Sequence, residues 1–204
     1  MIPFDVIPAY LLTGAFAGFF AGLLGVGGGV VVVPVLTIIF TAQGFPAREV
    51  LHLALGTSMA TILFTSLSSL RAHHAHQAVL WPVVRQLTPG ILLGTMLGTQ
   101  LAAHISSRSL SIFFVGFMLL LALQMIANLR PMPSRRLPGW GGLSLAGSFI
   151  GAIASLAALG GGALTVPYLI WCNVPPHRAI GTSAAVGLPI AVGGTIGYIW
   201  NGWA

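Results

Sequence analysis

The sequence predicts an all-α polytopic membrane protein: two homologous repeats of transmembrane helices, each opening with a glycine-broken helix, the second repeat incomplete relative to the first. Three observations predict it. The 204 residues are 56% hydrophobic and only 5% charged, whereas soluble domains carry about 25% charged residues. The apolar residues fall into six blocks, four of them near the ~20 residues that cross a bilayer. The two longer blocks each hold a glycine triplet followed by a proline at the same distance.

The charge inventory is eight Arg, one Asp, one Glu and no Lys. A water-facing surface cannot be built from it, and disorder would require low hydrophobicity with much charge. The pI of about 11.2 does not indicate nucleic-acid binding. The arginines at 48, 71, 85, 108, 130, 135, 136 and 178 are scattered between apolar stretches, as charges flanking membrane spans are, rather than clustered as a basic groove requires. Asp5 and Glu49 lie near block ends. No carboxylate sits inside a clear span, where cation carriers and proton pumps usually keep one. Cys172 is the single cysteine, which rules out an intrachain disulfide and a cysteine metal cluster. The start of the chain lacks a basic n-region, so the first apolar stretch is expected to be retained rather than cleaved.

The first block runs from about Ala9 to Thr41 and the fifth from about Leu143 to Cys172. Each is too long for one straight span. Gly27-Gly28-Gly29 with Pro34, and Gly160-Gly161-Gly162 with Pro167, divide them into two helical pieces joined by an unwound turn, either within the membrane or at its far surface. The second (Val50–Leu70), third (Val83–Ala103), fourth (Leu110–Leu129) and sixth (Ala179–Trp200) blocks are expected to be helices, since lipid offers backbone groups no partner outside helices and closed barrels. The alternation of barrel strands is absent.

Blocks one and five are copies. At an offset of 133, Gly14, Phe16, Gly18, Ala21, Leu23, Gly27 to Gly29, Val33, Pro34 and Leu36 match Gly147, Phe149, Gly151, Ala154, Leu156, Gly160 to Gly162, Val166, Pro167 and Leu169. At an offset of 125, His52-Leu-Ala-Leu-Gly-Thr-Ser58 matches His177-Arg-Ala-Ile-Gly-Thr-Ser183. The predicted organisation is a first repeat over 1–130, a Pro- and Arg-rich linker over 131–142 and a second repeat over 143–204. Beyond the Gly-Thr-Ser motif the first copy continues for 72 residues and the second for 21. The difference, about two spans, is either dispensable, missing, or supplied by another subunit. If each glycine block crosses once, the halves point the same way, and the positive-inside rule puts the N-terminus inside; if each crosses twice, the halves invert and that count no longer applies.

Glycine-interrupted apolar segments in corresponding halves are the best sequence pointer to a transporter's binding site. Gly27, Gly28, Gly29, Gly160, Gly161 and Gly162 free backbone N–H groups at the start of a following helix piece, where the dipole is positive and anions bind. Tight helix packing is the competing explanation, and it accounts for the Gly14-x-x-x-Gly18-x-x-x-Gly22 ladder. The repeated proline favours a substrate-facing break for the triplets. Gly25-Val-Gly27-Gly-Gly29 lacks the spacing, strand and acidic partner of a dinucleotide fingerprint. Thr57, Ser58, Thr182 and Ser183 offer hydroxyls that donate to an anion without binding it too tightly to release, against the alternative that they bond back to their own helices.

His52 and His177 are the candidate proton relays, although their place at block edges favours an interfacial role. His73-His74-Ala-His76 resembles a metal cluster only superficially: alternate residues do not share a helix face, and no carboxylate or cysteine lies nearby. No cofactor, catalytic residue or metal is expected, and the five tryptophans fit interfacial belts.

The segments Gly22-Leu-Leu-Gly-Val-Gly-Gly-Gly-Val-Val-Val-Val-Pro34, Leu159-Gly-Gly-Gly-Ala-Leu-Thr-Val-Pro167 and Pro175-Pro-His-Arg-Ala-Ile-Gly-Thr-Ser183 together resemble the TauE/SafE family of membrane permeases, the sulfite exporters. The resemblance covers both halves and nearly the whole chain. It implies a multi-pass transporter of the inner (plasma) membrane for small sulfur-containing anions such as sulfite or organosulfonates. It also implies that the glycine–proline and Gly-Thr-Ser motifs of both halves line the path. The expected partners are the anionic substrate, the lipid bilayer and, for a repeat this short, further copies in a homo-oligomer. The alternative is a non-transporting or incomplete membrane scaffold that needs additional helices from a partner.

Overall fold

A computed structural model describes residues 29–127 and 134–203, with helical backbone at positions 8, 11, 12, 14–16, 18 and 19 of a first helix; at Trp203 only the backbone is described. Seven further helices follow: α1 (Gly29–Ala42), α2 (Ala47–Ala75), α3 (Trp81–His104), α4 (Ser107–Ile126), α5 (Trp140–Leu156), α6 (Gly162–Trp171) and α7 (Pro176–Trp203). The described residues contain no strand.

The second, fourth and sixth apolar blocks form α2, α4 and α7, among the described residues the three helices long and apolar enough to cross a membrane. The third block forms α3, which at 24 residues is long enough but less apolar. Gln86, Thr88, Thr95, Thr99 and Gln100, with Gly90, Gly94 and Gly98, dilute it. The reason is packing on two sides. A Cβ on Gly90, Gly94 or Gly98 would run into Ser144, Ser148, and Ala152 with Ser155, along α5. On α7, a Cβ on Gly193 or Gly197 would run into Thr95 or Thr99. Membrane helices gain little from apolar burial against each other and rely on such small-residue contacts. Thr95 and Thr99 are buried and send their hydroxyls back to Leu92 O (3.0 Å) and Met96 O (2.9 Å). By contrast α4 buries only Leu110, Phe114 and Leu121 and exposes Ile112, Leu120 and Leu123, the pattern of a helix with lipid around most of its circumference.

The contact pairs give direction. Positions 90, 94 and 98 of α3 meet 144, 148 and 152 of α5 in rising order, so α3 and α5 are parallel. Gly56, Met59 and Ser66 of α2 meet Tyr198, Gly194 and Gly187 of α7 in falling order, so these helices are antiparallel. The two Gly-Thr-Ser motifs therefore sit on helices running in opposite senses, which is the inverted arrangement. The fifth block turns back on itself, as inversion requires: α5 ends at Leu156, Ala157–Gly161 is unwound, and α6 returns beside α7.

This arrangement sorts the charges. Gly181 abuts Ala78, and Leu80 N bonds Thr182, so the start of α7 lies level with the α2–α3 turn. The linker joins that end, where Ser134 N and Arg135 N both donate to Trp171 O (3.2 Å each) and the Arg135 guanidinium lies 4.9 Å from the Trp171 ring centre. Arg71, Arg85, Arg135, Arg136 and Arg178 thus share one end of the bundle, and Arg48 and Arg108 the other. All seven are exposed, as is Glu49.

Candidate functional site

The first described residue of α1, Gly29, meets the unwound turn of the other half inside the bundle. Gly29 opens α1, and a Cβ there would overlap the carbonyl of Ala158, in the unwound turn of the other half. Gly27 and Gly28 lie outside the described residues. The turn owes its shape to two left-handed residues, Ala158 (φ 48°) and Gly161 (φ 86°), the second a conformation that glycine adopts at no steric cost. Leu159 N bonds back to Ala154 O at 2.9 Å. A Cβ on Gly161 would lie 3.4 Å from Gly187 Cα and 3.3 Å from Ser183 O. Gly187 is the twelfth residue of α7, about 17 Å along a helix of about 42 Å. Ser58, beside Gly29, is likewise the twelfth residue of α2. The turn thus lies well inside the lengths of α2 and α7 rather than at an end of the bundle.

Helix starts converge there. The first turn of α6 presents the N–H groups of Gly162, Ala163 and Leu164 without acceptors one turn back, and Thr165 N makes the first closing bond, to Gly161 O at 2.9 Å. Pro34 and Pro167 lie inside α1 and α6. Each withholds one further N–H bond, so these short helices are weakly tied at their starts. Three described hydroxyls are buried without a partner: Ser58 Oγ, 3.3 Å from where a Gly29 Cβ would stand, Thr165 Oγ1 in the first turn of α6, and Thr195 Oγ1 further along α7. A buried polar atom without a partner costs about 1–3 kcal/mol.

The other candidate residues are placed differently. Thr57 is exposed on α2. Thr182 is buried, and its hydroxyl accepts from Leu80 N at 3.0 Å, tying α7 to the entry of α3. Ser183 Oγ donates back to Ile180 O at 2.8 Å. The two Gly-Thr-Ser motifs are thus not equivalent: of their hydroxyls, only that of Ser58 is buried without a partner. His52 Nε2 donates to Ala102 O at 2.9 Å; its Nδ1 lies 3.3 Å from Ser107 Oγ, which itself donates to Arg48 O. His52 is therefore a brace between α2, the end of α3 and the start of α4. His177 is exposed, with no hydrogen bond recorded among the described residues. His73, His74 and His76 lie at the end of α2, where the His74 ring meets Trp81 edge-on. No described group of three His, Cys, Asp or Glu residues could hold a metal.

Sequence reasoning missed Thr165 and the brace of His52. It also missed the Tyr198 hydroxyl, which donates to Ser155 O at 3.0 Å. For Thr165 a signal existed: it is the third residue past a glycine triplet, in the first turn of the helix piece. The partners of His52 and Thr182 lie 50 and 102 positions away, with nothing local to mark them.

Helices of membrane length, an unwound turn packed against Gly29 within the bundle and no described charge in the interior define a membrane protein of the transporter class. The chain belongs to the TauE/SafE sulfite exporter family, whose pattern it matches over residues 10–204. It is 33% identical over 202 residues to a probable membrane transporter protein of Haemophilus influenzae, covering 98% of this chain and 76% of that one. It is 26% identical to the probable membrane transporter protein YunE of Bacillus subtilis (94% of this chain, 78% of that one). Against a probable membrane transporter protein of Methanocaldococcus jannaschii the identity is 28% (95% and 73%). No solved structure matches the chain significantly.

Proposed function

We propose that the chain is a secondary carrier, not an enzyme, for small anions, with sulfite and organosulfonates as the leading substrates, and that the anion sits where the two helix breaks meet. The single observation that carries this reading is the fully buried, unpaired Ser58 hydroxyl facing the start of α1. The helix start supplies N–H groups and a positive dipole end, and Thr165 supplies a second unpaired hydroxyl at the start of α6. All these donors are neutral. They stabilise an anion by hydrogen bonding and release it without breaking an ion pair, as a carrier must. The sulfur-containing substrates are supported by the family's name and stand as a proposal for this chain.

An interrupted helix packed against the Gly29 end of α1, with α2 and α7 running in opposite senses, also suits alternating access, in which one half rocks against the other about a fixed site. Five described arginines at one end of the bundle against two at the other favour an inner-membrane orientation with the Arg71–Arg85 end in the cytoplasm. With no described charge inside the bundle, outward movement of an anion is driven by the inside-negative potential.

The test is sulfite flux from proteoliposomes holding the intact chain, compared with a chain in which Gly160, Gly161 and Gly162 are replaced by Leu, at matched protein density. The expected result is flux that saturates with sulfite and disappears in the replacement. Equal flux from both would contradict the site. A well-folded chain that moves neither sulfite nor a panel of small organosulfonates would favour the scaffold reading.

A further inference from the structure

We propose that the junction of Ser58 with the turn before α6 takes singly charged anions and turns away doubly charged ones, so that sulfite enters as hydrogen sulfite and its proton crosses on the anion itself. The inference rests on the anion reading above and adds to it the charge of the species that is bound.

The first observation is where the charges stand. The sequence holds eight arginines and two carboxylates. Seven of the arginines and Glu49 are described, and all of these are exposed; Asp5 and Arg130 lie outside the described residues. On α2 the charged residues that flank Ser58 are Glu49 and Arg71, about 14 Å and about 20 Å away along the helix axis. Glu49 is paired with Arg48 at 3.1 Å. On α7, Arg178 stands about 14 Å along the axis from Gly187, which meets the turn. Exposed charges at such distances are largely screened by water and salt. No described cation therefore stands at the junction to offset a second negative charge.

The second observation is what the junction offers instead. Ser58 Oγ lies 3.3 Å from where a Gly29 Cβ would stand, and that point abuts the turn at Ala158. Ser58 and Thr165 are fully buried, and their hydroxyls have no partner. Both are neutral donors. The remaining positive potential is that of the α6 start, where Gly162, Ala163 and Leu164 offer N–H groups, and a helix start is equivalent to about half a unit charge. This set matches one negative charge spread over the oxygens of a sulfur group. The cost of taking an ion out of water rises with the square of its charge, so a dianion costs about four times what a monoanion does. The donors that offset that cost stay the same.

The third observation concerns the proton. His52 Nε2 is held by Ala102 O at 2.9 Å, and His177 is exposed at the start of α7. Neither stands at the junction as a relay. A singly charged substrate needs none. Hydrogen sulfite, with one proton and one negative charge, crosses as a unit and gives up its proton to water on the far side, leaving sulfite there. Organosulfonates with a single acidic group carry the same charge on the same three oxygens at every physiological pH. Sulfate carries two charges.

The test is calorimetric titration of the purified intact chain with methanesulfonate, sulfate and sulfite. Each is read at pH values well below and well above the second ionisation of sulfurous acid, which lies near neutrality. Methanesulfonate is expected to bind alike at both, which also reports any contribution of the protein's own histidines. Its binding is expected to weaken in Ser58→Ala. Sulfate is expected to bind at least about a hundredfold more weakly than methanesulfonate. Sulfite is expected to follow methanesulfonate at the lower pH and to lose affinity at the higher one, in proportion to the hydrogen sulfite that remains. Sulfate binding within about threefold of methanesulfonate, or sulfite affinity unchanged between the two pH values, overturns the inference and leaves the anion reading standing. Methanesulfonate and sulfite that both fail to bind, or that bind equally to Ser58→Ala, overturn the anion reading and this inference with it.

Discussion

Gly29 and Ala158 lie in opposite halves of the chain, 129 positions apart, and approach so closely that a Cβ on Gly29 would occupy the space of the Ala158 carbonyl. The contact joins the start of one short helix to the unwound turn before another. It is the point about which the two halves are matched.

Gly29→Ala is therefore expected to push the halves apart. Overpacking a tight contact typically costs about 1–3 kcal/mol, and here the neighbour is backbone, which cannot swing aside. Thermal unfolding of the purified variant in detergent checks this, with a lowered midpoint expected. An unchanged midpoint would mean that the breaks are not in contact.

Ser58→Ala is expected to behave in the opposite way. Its hydroxyl is buried without a partner, so removing it relieves a desolvation cost rather than breaking a bond. Unfolding in the absence of anion should occur at the same temperature or higher. A clear loss of stability would show that Ser58 has a structural partner.

Thr182→Val separates the roles of the two hydroxyls in the second Gly-Thr-Ser motif. The hydroxyl of Thr182 is the acceptor for Leu80 N across 102 positions, and its loss leaves that N–H unpaired, at about 1–3 kcal/mol. A lowered unfolding midpoint is expected for Thr182→Val and not for Ser183→Ala, whose hydroxyl serves only its own helix. Equal effects would show that the Thr182 hydroxyl does not tie α7 to the entry of α3.

Cys172 lies buried in the turn after α6, and burial raises its thiol pKa. Since the thiolate is the reactive form, alkylation of the folded chain by a maleimide at neutral pH is expected to be far slower than in denaturant. Rapid labelling of the folded chain would place α6 and its turn away from the linker that covers them.

Much of this architecture was legible in the sequence, for identifiable reasons. The lengths of α2, α4 and α7 follow from runs of apolar residues that only a bilayer explains. The unwound turn follows from a glycine triplet with a proline five residues on, although the turn spans Ala157–Gly161 and Gly162 already opens α6. The inversion of the halves was not legible, because apolar content is the same whether block five crosses once or folds back. The central role of α3 was also hidden. Gly90, Gly94 and Gly98 form a ladder visible in sequence, but its partner, α5, is fixed only by the fold. Ser58 could be singled out and Ser183 with it. That only one of them keeps an unpaired hydroxyl depends on rotamers that no spacing encodes.

The most direct test of the anion site is a calorimetric titration of sulfite, and of a small organosulfonate in parallel, into the purified chain and into Ser58→Ala. The account predicts saturable binding to the intact chain and roughly tenfold weaker binding to Ser58→Ala, about the 1.4 kcal/mol of one hydrogen bond to a charged group. Equal affinity in the two chains would contradict it, since the anion would then be bound somewhere other than the junction of Ser58, Gly29 and the turn at Ala158.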